Sequence, residues 1–354
     1  MRSLVFAAAI STAALLTAPA LAADGATVGP NGETPTPVAE LTLSDAEVAK
    51  VAEGGYTAAL VWHELYDWSG AVAQGAKDEF ERLGIEVVAE TDAGFDTARQ
   101  KADVETVMAQ NPSIIVSLPI DPPTAANVYG IARDAGVKLV FIDNAVNGFT
   151  HGEDYVTVVS ADLFQIGSKA ANALAAAMGE EGTVGYMFHD ADFPVTNQRD
   201  QAFKATIEQD YPNMEIVVES GMTDPANAED IARAMLSRNP DLGGIYTPWA
   251  EPALGVLSVL RQQGNTDTKV ITIDLNEPVA LDMLNGGNTA AIIADEAYAI
   301  GVYAARAAAA SLLDRSVDPF LVVDALAITP DNIVEGWEKS LSHQPPESVM
   351  SAAQ

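Results

Sequence analysis

The chain has 354 residues, no cysteine and a formal net charge of −32, from 50 acidic and 18 basic residues. The lack of cysteine excludes disulfides, thiol catalysis, cysteine metal sites and a lipidated N-terminal cysteine. A surface this acidic repels nucleic acid and anionic lipid, so neither is an expected partner. We interpret the charge as a means of staying soluble in a salty habitat.

The first 22 residues have the pattern of a cleavable export signal. Arg2 gives a short basic start, an apolar run follows over residues 4–16, and Ala20-Leu21-Ala22 forms a small-residue cleavage site. No later run reaches the length of about 20 apolar residues that a membrane helix needs. We therefore expect an exported, periplasmic protein without a lipid anchor.

Residues 23–55 are expected to be a flexible leader followed by a short helix. Glycine, proline and threonine dominate residues 24–37, which favours an irregular conformation. The helix is predicted over residues 41–54, with Ser44 or Asp45 as its N-cap.

From residue 57 onward, short apolar strands alternate with longer helices. The predicted strands are 57–62, 85–90, 113–118, 137–143, 155–160, 183–188, 215–219, 243–247, 269–274, 289–294 and 320–323. The predicted helices are 69–83, 97–110, 122–135, 163–178, 196–210, 225–238, 252–263, 277–284, 298–313 and 330–340. This alternation predicts an α/β fold of two doubly wound parallel-sheet lobes, with a boundary near Ser160-Ala161-Asp162. A closed barrel of eight strand–helix units is the alternative architecture.

Common signatures of cofactor sites and of catalysis are absent from the sequence. No GxGxxG follows the first strand, and no GxxxxGK(S/T) or GxSxG segment occurs. The four histidines show no HxxxH or HxH spacing, and the position four residues after His63 is Asp67, so no HExxH motif is formed. We predict neither a cofactor nor a metal ion, and an enzymatic function has no support from motifs.

Polar and aromatic side chains stand directly after the predicted strands. In open α/β sheets ligands bind outside the carboxyl ends of the strands, where a carboxylate accepts hydroxyl hydrogens and a tryptophan face stacks on a sugar ring. Capping of turns by the aspartates and sealing of loops by the tryptophans are the alternative roles. We interpret the polar cluster 189–193 and Arg199 as hydrogen-bonding support beneath a pocket. The candidate ligand contacts are Asp67, Trp68, Asp143, Asn144, Asn197, Trp249, Asp274 and Asp295.

The order of several segments resembles that of a known family. ALVW is followed by DWSGAVAQGAKDEFERLGIEVV, IIVSLPIDP, VKLVFIDN, NQRDQAF, GIYTPWAEPALGVLSVLRQQG and VITIDLN. The series is similar to the periplasmic sugar-binding proteins of ABC importers, in particular the ribose-binding type, over residues 57–329. It implies the type I periplasmic binding protein fold, with two lobes joined by a three-strand hinge. The implied N-terminal lobe is 56–160 plus 294–323, the C-terminal lobe is 161–293 plus 324–340, and a tail covers 341–354.

The resemblance also implies roles for single positions. Trp68 falls on the aromatic position of the first loop, with Asp67 directly before it where the ribose binder has a polar contact. Asp143 and Asp274 fall on the two aspartates that end strands in opposite lobes.

Four positions depart from the ribose-binding pattern. Asn144 stands where sugar binders often have arginine, and Asn197 where the ribose binder has arginine. Trp249 replaces an asparagine or aspartate, and Asp295 replaces the hinge glutamine. These departures argue against an intact ribose pocket, and we expect a neutral sugar, sugar alcohol or related polyol held between Trp68 and Trp249.

The expected function is capture of this carbohydrate between two lobes and its delivery to an inner-membrane ABC permease with a cytoplasmic ATPase. The protein is expected to act as a monomer and to do no chemistry, since ligand binding shifts a hinge-closure equilibrium. Three alternatives remain open. The aspartates also suit an amine-bearing ligand, the fold also serves as a sensor for chemotaxis or signalling, and Asp143 with Asp274 would be the carboxylate pair of a glycosidase.

Overall fold

The computed structural model describes residues 25–354, so the predicted export signal lies outside the described residues. The strands are β1 Thr36–Pro37, β2 Thr57–Trp62, β3 Glu86–Asp92, β4 Ile114–Ser117, β5 Lys138–Ile142, β6 Thr157–Ala161, β7 Gly182–His189, β8 Met214–Met222, β9 Gly244–Tyr246, β10 Lys269–Ile273, β11 Thr289–Asp295, β12 Phe320–Val323 and β13 Ala325–Ile328. The helices are α1 Asp45–Ala52, α2 Asp67–Arg82, α3 Thr97–Met108, α4 Ala126–Asp134, α5 Leu163–Met178, α6 Pro194–Asp210, α7 Ala228–Arg238, α8 Ala250–Gln263, α9 Glu277–Leu284, α10 Ala297–Leu312, α11 Ile333–Leu341 and α12 Glu347–Ala352.

The strands form two sheets, which confirms the predicted α/β fold of two lobes. The first sheet has the order β1-β12-β6-β5-β4-β2-β3, and every pair in it is parallel. The second has the order β13-β11-β10-β9-β7-β8 and is parallel except for β13, which pairs antiparallel with β11. Strand β13 is not predicted from the sequence, because its four apolar residues follow β12 after a single residue, and so short a run does not by itself indicate a separate strand. Two separate sheets exclude the closed barrel.

The chain passes from one sheet to the other three times. Each passage uses one residue between two elements: Asp162 joins β6 to α5, Glu296 joins β11 to α10, and Asp324 joins β12 to β13. The helix α10 packs on α2 of the first lobe, although β11 before it belongs to the second sheet. Because β6 pairs with β12 and β11 pairs with β13, the three connections lie side by side and form a hinge between the lobes.

Small residues let helices pack closely on each side of the hinge. A Cβ atom on Gly301 of α10 would lie 1.9 Å from the carbonyl oxygen of Val72 in α2, and one on Gly167 of α5 would lie 2.1 Å from that of Arg199 in α6. The alanine-rich composition of α5 and α10 serves this packing. In the chain from residue 25 onward, no helix combines the length and apolarity needed to cross a membrane.

The segment before α1 differs from the expected flexible leader, because residues 27–37 are fixed to both lobes. Thr27 hydrogen-bonds to Asp162 in the hinge and accepts the backbone N–H of Phe164 at 2.8 Å. The backbone N–H and carbonyl of Val28 bond to the side-chain amide of Gln198 on α6 at 3.0 and 2.8 Å. Hydrogen-bonding residues, rather than apolar periodicity, fix this segment, which we call the strap (residues 27–37).

The other end of the strap belongs to the first lobe. The Asn31 amide donates to the Tyr155 hydroxyl at 3.2 Å, and β1 adds two residues to the sheet beside β12. Helix α1 follows, capped by Ser44 as predicted. At the opposite end of the chain, the residues expected to be a tail contain α12, which packs on α9.

We expect Gly301→Ala to lower the free energy of unfolding by about 1–3 kcal/mol, because the new methyl group overlaps the backbone of α2. Gly70 is the matched control, since it lies in α2, the helix that Gly301 of α10 approaches, and a Cβ added there would have no neighbouring atom within 4 Å. Gly70→Ala should raise stability by roughly 0.4–1 kcal/mol through lower entropy of the unfolded chain. Urea unfolding of both variants tests this, and equal midpoints would show that the close approach of α2 and α10 is not required.

Candidate ligand-binding site

A cavity of about 730 Å³ lies between the lobes, at the carboxyl ends of the parallel strands. This is the position expected for ligand sites in open α/β sheets, and the volume lies in the usual range for small-molecule sites. The first lobe contributes His63, Glu64, Tyr66, Trp68, Phe95, Leu118 and Asp143 among others. The second lobe contributes His189, Phe193, Thr196, Arg199, Asp224, Trp249, Glu251, Asp274 and Asp295 among others.

Two aspartates occupy matching places in the two lobes. Asp143 directly follows β5 with φ of 59°, and Asp274 directly follows β10 with φ of 67°. This left-handed backbone region is unfavourable for residues other than glycine, although aspartate and asparagine enter it more readily than most. Strain of this kind collects at ligand sites, because it is kept only where the geometry is needed.

Burial makes these aspartates weaker acids than an exposed aspartate. Burial raises the pKa of Asp143 to about 6, while the Ser160 hydroxyl, which donates to Asp143 Oδ1 at 2.6 Å, and the positive charge of Arg199 oppose this shift. Burial also raises the pKa of Asp274 to about 6, again against Arg199. The pKa of Asp295 rises well above its ordinary value because of burial and the neighbouring carboxylates of Asp274 and Asp143.

Arg199 is the single lysine or arginine among the residues that line the cavity. One of its terminal nitrogens donates to the Pro248 carbonyl at 2.8 Å, whereas its buried Nε has no hydrogen-bond partner within residues 25–354. Burial alone would lower the pKa of Arg199, but the carboxylates, Asp274 first, raise it, so the side chain stays charged. The contact of Gly167 with the backbone at Arg199 fixes the distance of α6 from α5 and therefore the place of this charge.

Aromatic rings cover the first-lobe side of the cavity. The rings of Tyr66 and Trp68 stack at 6.3 Å, and the Trp68 indole N–H donates to Asp295 Oδ1 at 2.9 Å. This hydrogen bond connects the first turn of α2 to the end of β11, next to the hinge. Phe95, which is 44% exposed, lies at the rim and approaches Phe193 of the other lobe at 6.4 Å.

The second lobe presents Trp249 and a neutral imidazole. The Trp249 ring meets His189 edge-on at 5.2 Å, and its N–H donates to Glu251 at 2.9 Å. Burial and the charge of Arg199 lower the pKa of His189 to about 4, and its Nδ1 contacts the Thr196 hydroxyl at 2.9 Å.

His63 is the matching imidazole of the first lobe. Burial lowers its pKa to about 4, against the field of Asp92, and its Nδ1 has no hydrogen-bond partner in the part of the chain that the structure describes. Both imidazoles are therefore uncharged at neutral pH. Over residues 25–354, no group of three or more His, Asp or Glu side chains has the arrangement of a metal site.

Comparison with known proteins identifies the family. The model of the periplasmic binding protein domain matches residues 58–316, which is more than half of the chain. The chain belongs to this family. Its members are periplasmic substrate-binding proteins and not enzymes, which confirms the resemblance seen in the sequence.

Individual periplasmic binding proteins are about one-quarter identical to the chain over the aligned residues. The ribose import binding protein of Escherichia coli is 25% identical over 231 residues, which cover 65% of this chain and 76% of that protein. The D-apiose import binding protein of Actinobacillus succinogenes is 26% identical over 232 residues, 64% of this chain and 72% of that protein.

Solved structures support the same fold. A solute-binding protein from Agrobacterium vitis with bound α-D-tagatopyranose has a TM-score of 0.71 and 23% identity, and the match covers 79% of this chain and 96% of that one. A solute-binding protein from Bacillus halodurans with bound myo-inositol has a TM-score of 0.70 and 20% identity, covering 81% and 98%.

Within this periplasmic binding protein, five predicted contacts come together around the cavity. These are Trp68, Asp143, Trp249, Asp274 and Asp295. They come from both lobes, as the placement of their strand ends predicts.

The other three predicted contacts do not line the cavity. Asp67 is exposed at the first position of α2, beside a small outer pocket that it shares with Trp249 and Asn276. Asn144 is fully buried, because the left-handed turn at Asp143 directs the chain into the interior. Asn197 lies on the first turn of α6, and its amide donates to the Ala191 carbonyl at 3.0 Å, which closes the preceding loop.

Several lining residues are not among the predicted contacts. From the sequence, Arg199 is assigned to hydrogen-bonding support beneath the pocket. It lies two residues after Asn197 on α6, and the rotation of about 200° between them moves the side chain from the loop side to the cavity side. Tyr66 stands two residues before Trp68, and Glu251 stands two residues after Trp249. Their closeness in sequence to predicted contacts is the feature from which their place in the cavity lining could have been predicted. Phe95 lies in the loop between β3 and α3, which carries no strand-end cluster.

We expect Asp274→Asn to stabilise the empty protein above pH 6 and to have no effect below pH 4. The carboxyl group has a higher pKa in the folded protein, about 6, than its ordinary 3.8, so folding takes up a proton between these values. Its contribution to the free energy of unfolding therefore falls as the pH rises through this range. The expected gain at pH 7.5 is on the order of 1–3 kcal/mol.

Thermal unfolding of the wild-type protein and the variant at pH 4.0 and pH 7.5 measures this difference. Asn tolerates the left-handed backbone at residue 274, so no new strain is expected. Asp267→Asn is the control, because Asp267 is exposed and should show no pH-dependent gain. An equal effect of Asp274→Asn at both pH values would contradict the raised pKa.

Proposed function

We propose that this protein captures a sugar or sugar alcohol between its two lobes and delivers it to the permease of an ABC transporter. The observation that carries the proposal is the cavity itself, in which Asp143 of one lobe and Asp274 of the other face a common space. Carboxylates accept hydrogen bonds from hydroxyl groups, and such charge-assisted bonds are stronger than neutral ones.

The tryptophans complete a pocket for a ring-shaped, hydroxyl-rich molecule. Trp68 and Trp249 line the cavity from opposite lobes and supply apolar faces for the C–H groups of a sugar. Because each lobe contributes both a carboxylate and an aromatic ring, a ligand gains its full set of contacts only when the lobes are together. Binding therefore stabilises the closed arrangement, which is the form that a permease would recognise.

Related proteins support this class of ligand. The curated relatives include import binding proteins for ribose and D-apiose, and the similar structures hold α-D-tagatopyranose, D-arabinose and myo-inositol. The pocket of this chain is not a copy of a ribose site, because Trp249 and Asp295 stand at positions that the ribose-binding pattern gives to other residue types.

Export, oligomeric state and role belong to the same proposal. The signal-like pattern of residues 1–22 supports export to the periplasm by a cleavable signal, and the acidic surface suits a monomer that diffuses there. The pocket offers binding groups from both lobes, and we propose that the protein does no chemistry on its ligand. A role as sensor would use the same cavity and the same closure.

Titration calorimetry with pentoses, hexoses, inositols, linear polyols and their amino derivatives tests the ligand class directly. Binding of at least one of these compounds is expected. If the whole panel is silent while amino acids, polyamines or carboxylic acids bind, the carbohydrate proposal is wrong.

We expect Trp249→Ala to weaken binding of the ligand found in that panel by at least tenfold, because it removes one aromatic wall of the pocket. The melting temperature of the empty protein should change little, since Trp249 is only partly buried.

Asp67→Asn is the control for this loss, because Asp67 is a predicted contact that lies outside the cavity. It should leave the affinity within about twofold of the wild-type value, well below the tenfold step that about 1.4 kcal/mol represents. A strongly destabilised Trp249→Ala protein with normal affinity would instead make Trp249 a structural residue.

A further inference from the structure

The lining of the cavity carries far more negative than positive charge. Six carboxyl groups, those of Glu64, Asp143, Asp224, Glu251, Asp274 and Asp295, face a single guanidinium group. The imidazoles of His63 and His189 are neutral at pH 7 and do not change this balance.

The deepest carboxylates have few partners from the protein. Asp143 receives one hydroxyl from Ser160, and Asp295 receives the indole N–H of Trp68. For the Asp274 carboxylate, residues 25–354 supply no hydrogen-bond donor, and Arg199 forms no ion pair with any carboxylate in this part of the chain. These three aspartates are each less than 10% exposed, so solvent compensates their charge poorly.

A neutral polyol would relieve only part of this imbalance. Its hydroxyl groups can donate to the three carboxylates, but they leave the repulsion between the negative charges in place. A protonated amine both donates hydrogen bonds and cancels charge, and a buried carboxylate is strongly stabilised by such a partner.

The aromatic walls favour the same chemistry. A cation near the face of tryptophan or tyrosine is attracted by the ring, and the effect grows when water is excluded. Tyr66 and Trp68 form a stacked pair next to Asp295, and Trp249 lines the cavity from the other lobe.

Two unpartnered nitrogens show that the ligand is not a simple amine. Arg199 Nε and His63 Nδ1 belong to side chains that are 8% and 4% exposed and that line the cavity, and neither atom has a hydrogen-bond partner among the described residues. Arg199 needs an acceptor that carries no positive charge, and a hydroxyl oxygen satisfies this need.

We propose that the ligand is an amino sugar or amino polyol, with its ammonium group among Asp143, Asp274 and Asp295 and its hydroxyl groups toward Arg199 and His63. This rests on the proposed function and specifies its ligand. It departs from the neutral ligand expected in the sequence analysis and takes up the amine-bearing alternative that remains open there.

Matched pairs of ligands test the proposal, because the members of each pair differ in the charged group alone. Glucosamine, galactosamine and an amino-inositol are compared with glucose, galactose and myo-inositol by titration calorimetry at pH 7.0. N-acetylglucosamine is added, since it keeps the nitrogen but loses the charge. At least one amine is expected to bind ten or more times tighter than its neutral partner.

The outcomes separate this proposal from the more general one. Neutral members that bind as tightly as the amines, or tighter, overturn the amine proposal and leave the carbohydrate function supported. Silence in both halves of the panel counts against both proposals.

Two variants test whether the carboxyl groups of the cavity are responsible for the preference for an amine. Asp295→Asn keeps an acceptor for the Trp68 indole and removes a carboxyl group that can pair with a bound ammonium, so the preference for the amine over its neutral partner should fall about tenfold. Asp67→Asn also removes one negative charge, but outside the cavity, and should leave the preference unchanged. Equal effects of the two substitutions would show that the overall acidity of the protein, rather than the cavity, attracts the amine.

Discussion

Parallel strands must be covered on both faces, and the place of the cavity in this protein follows from that constraint. Helical crossovers return the chain to the same end of each sheet, so all the parallel strands of a lobe end on one edge. The two lobes present these edges to each other across the hinge. Side chains that are distant in sequence, such as Asp143 after β5 and Asp274 after β10, therefore face one space.

The same arrangement places several groups of the unliganded site in energetically unfavourable states. Asp143 and Asp274 have left-handed backbones, and burial raises the pKa of each carboxyl group. Arg199 keeps a buried nitrogen without a partner in the cavity lining. These features lower the stability of the unliganded protein, and a ligand that satisfies them gains binding energy from the same groups. Natural proteins commonly concentrate such violations of packing rules at their functional sites.

Strand ends can be predicted from the sequence because a buried parallel strand is a continuous apolar run with a clear limit. This limit alone locates Asp143, Asp274 and Asp295 on the cavity edge. One residue after Asp143, Asn144 lies outside the lining, because a left-handed turn reverses which residue faces inward. Asn197 lies outside it because a helix rotates by about 100° per residue, and the phase of α6 is set by its contact with α5.

Elements without periodicity could not be predicted. The strap and the short strand β13 are held by single hydrogen bonds and by brief pairing with β12 and β11, neither of which leaves a pattern in the sequence. Contacts between distant parts of the chain are equally hidden. Trp68 and Asp295, for example, are 227 positions apart and meet only in the folded chain.

The strap has a mechanical consequence for a hinged protein. Its hydrogen bonds to the second lobe at Val28 and its first side-chain hydrogen bond to the first lobe at Asn31 are three residues apart, a reach of about 11 Å when extended. Because Thr27 holds the strap to Asp162 inside the hinge, this tether acts close to the axis, where rotation displaces atoms least. We therefore expect the strap to permit opening of the lobes and to resist sliding and twisting between them. Such a tether would restrict the direction in which the lobes move more than the angle through which they open.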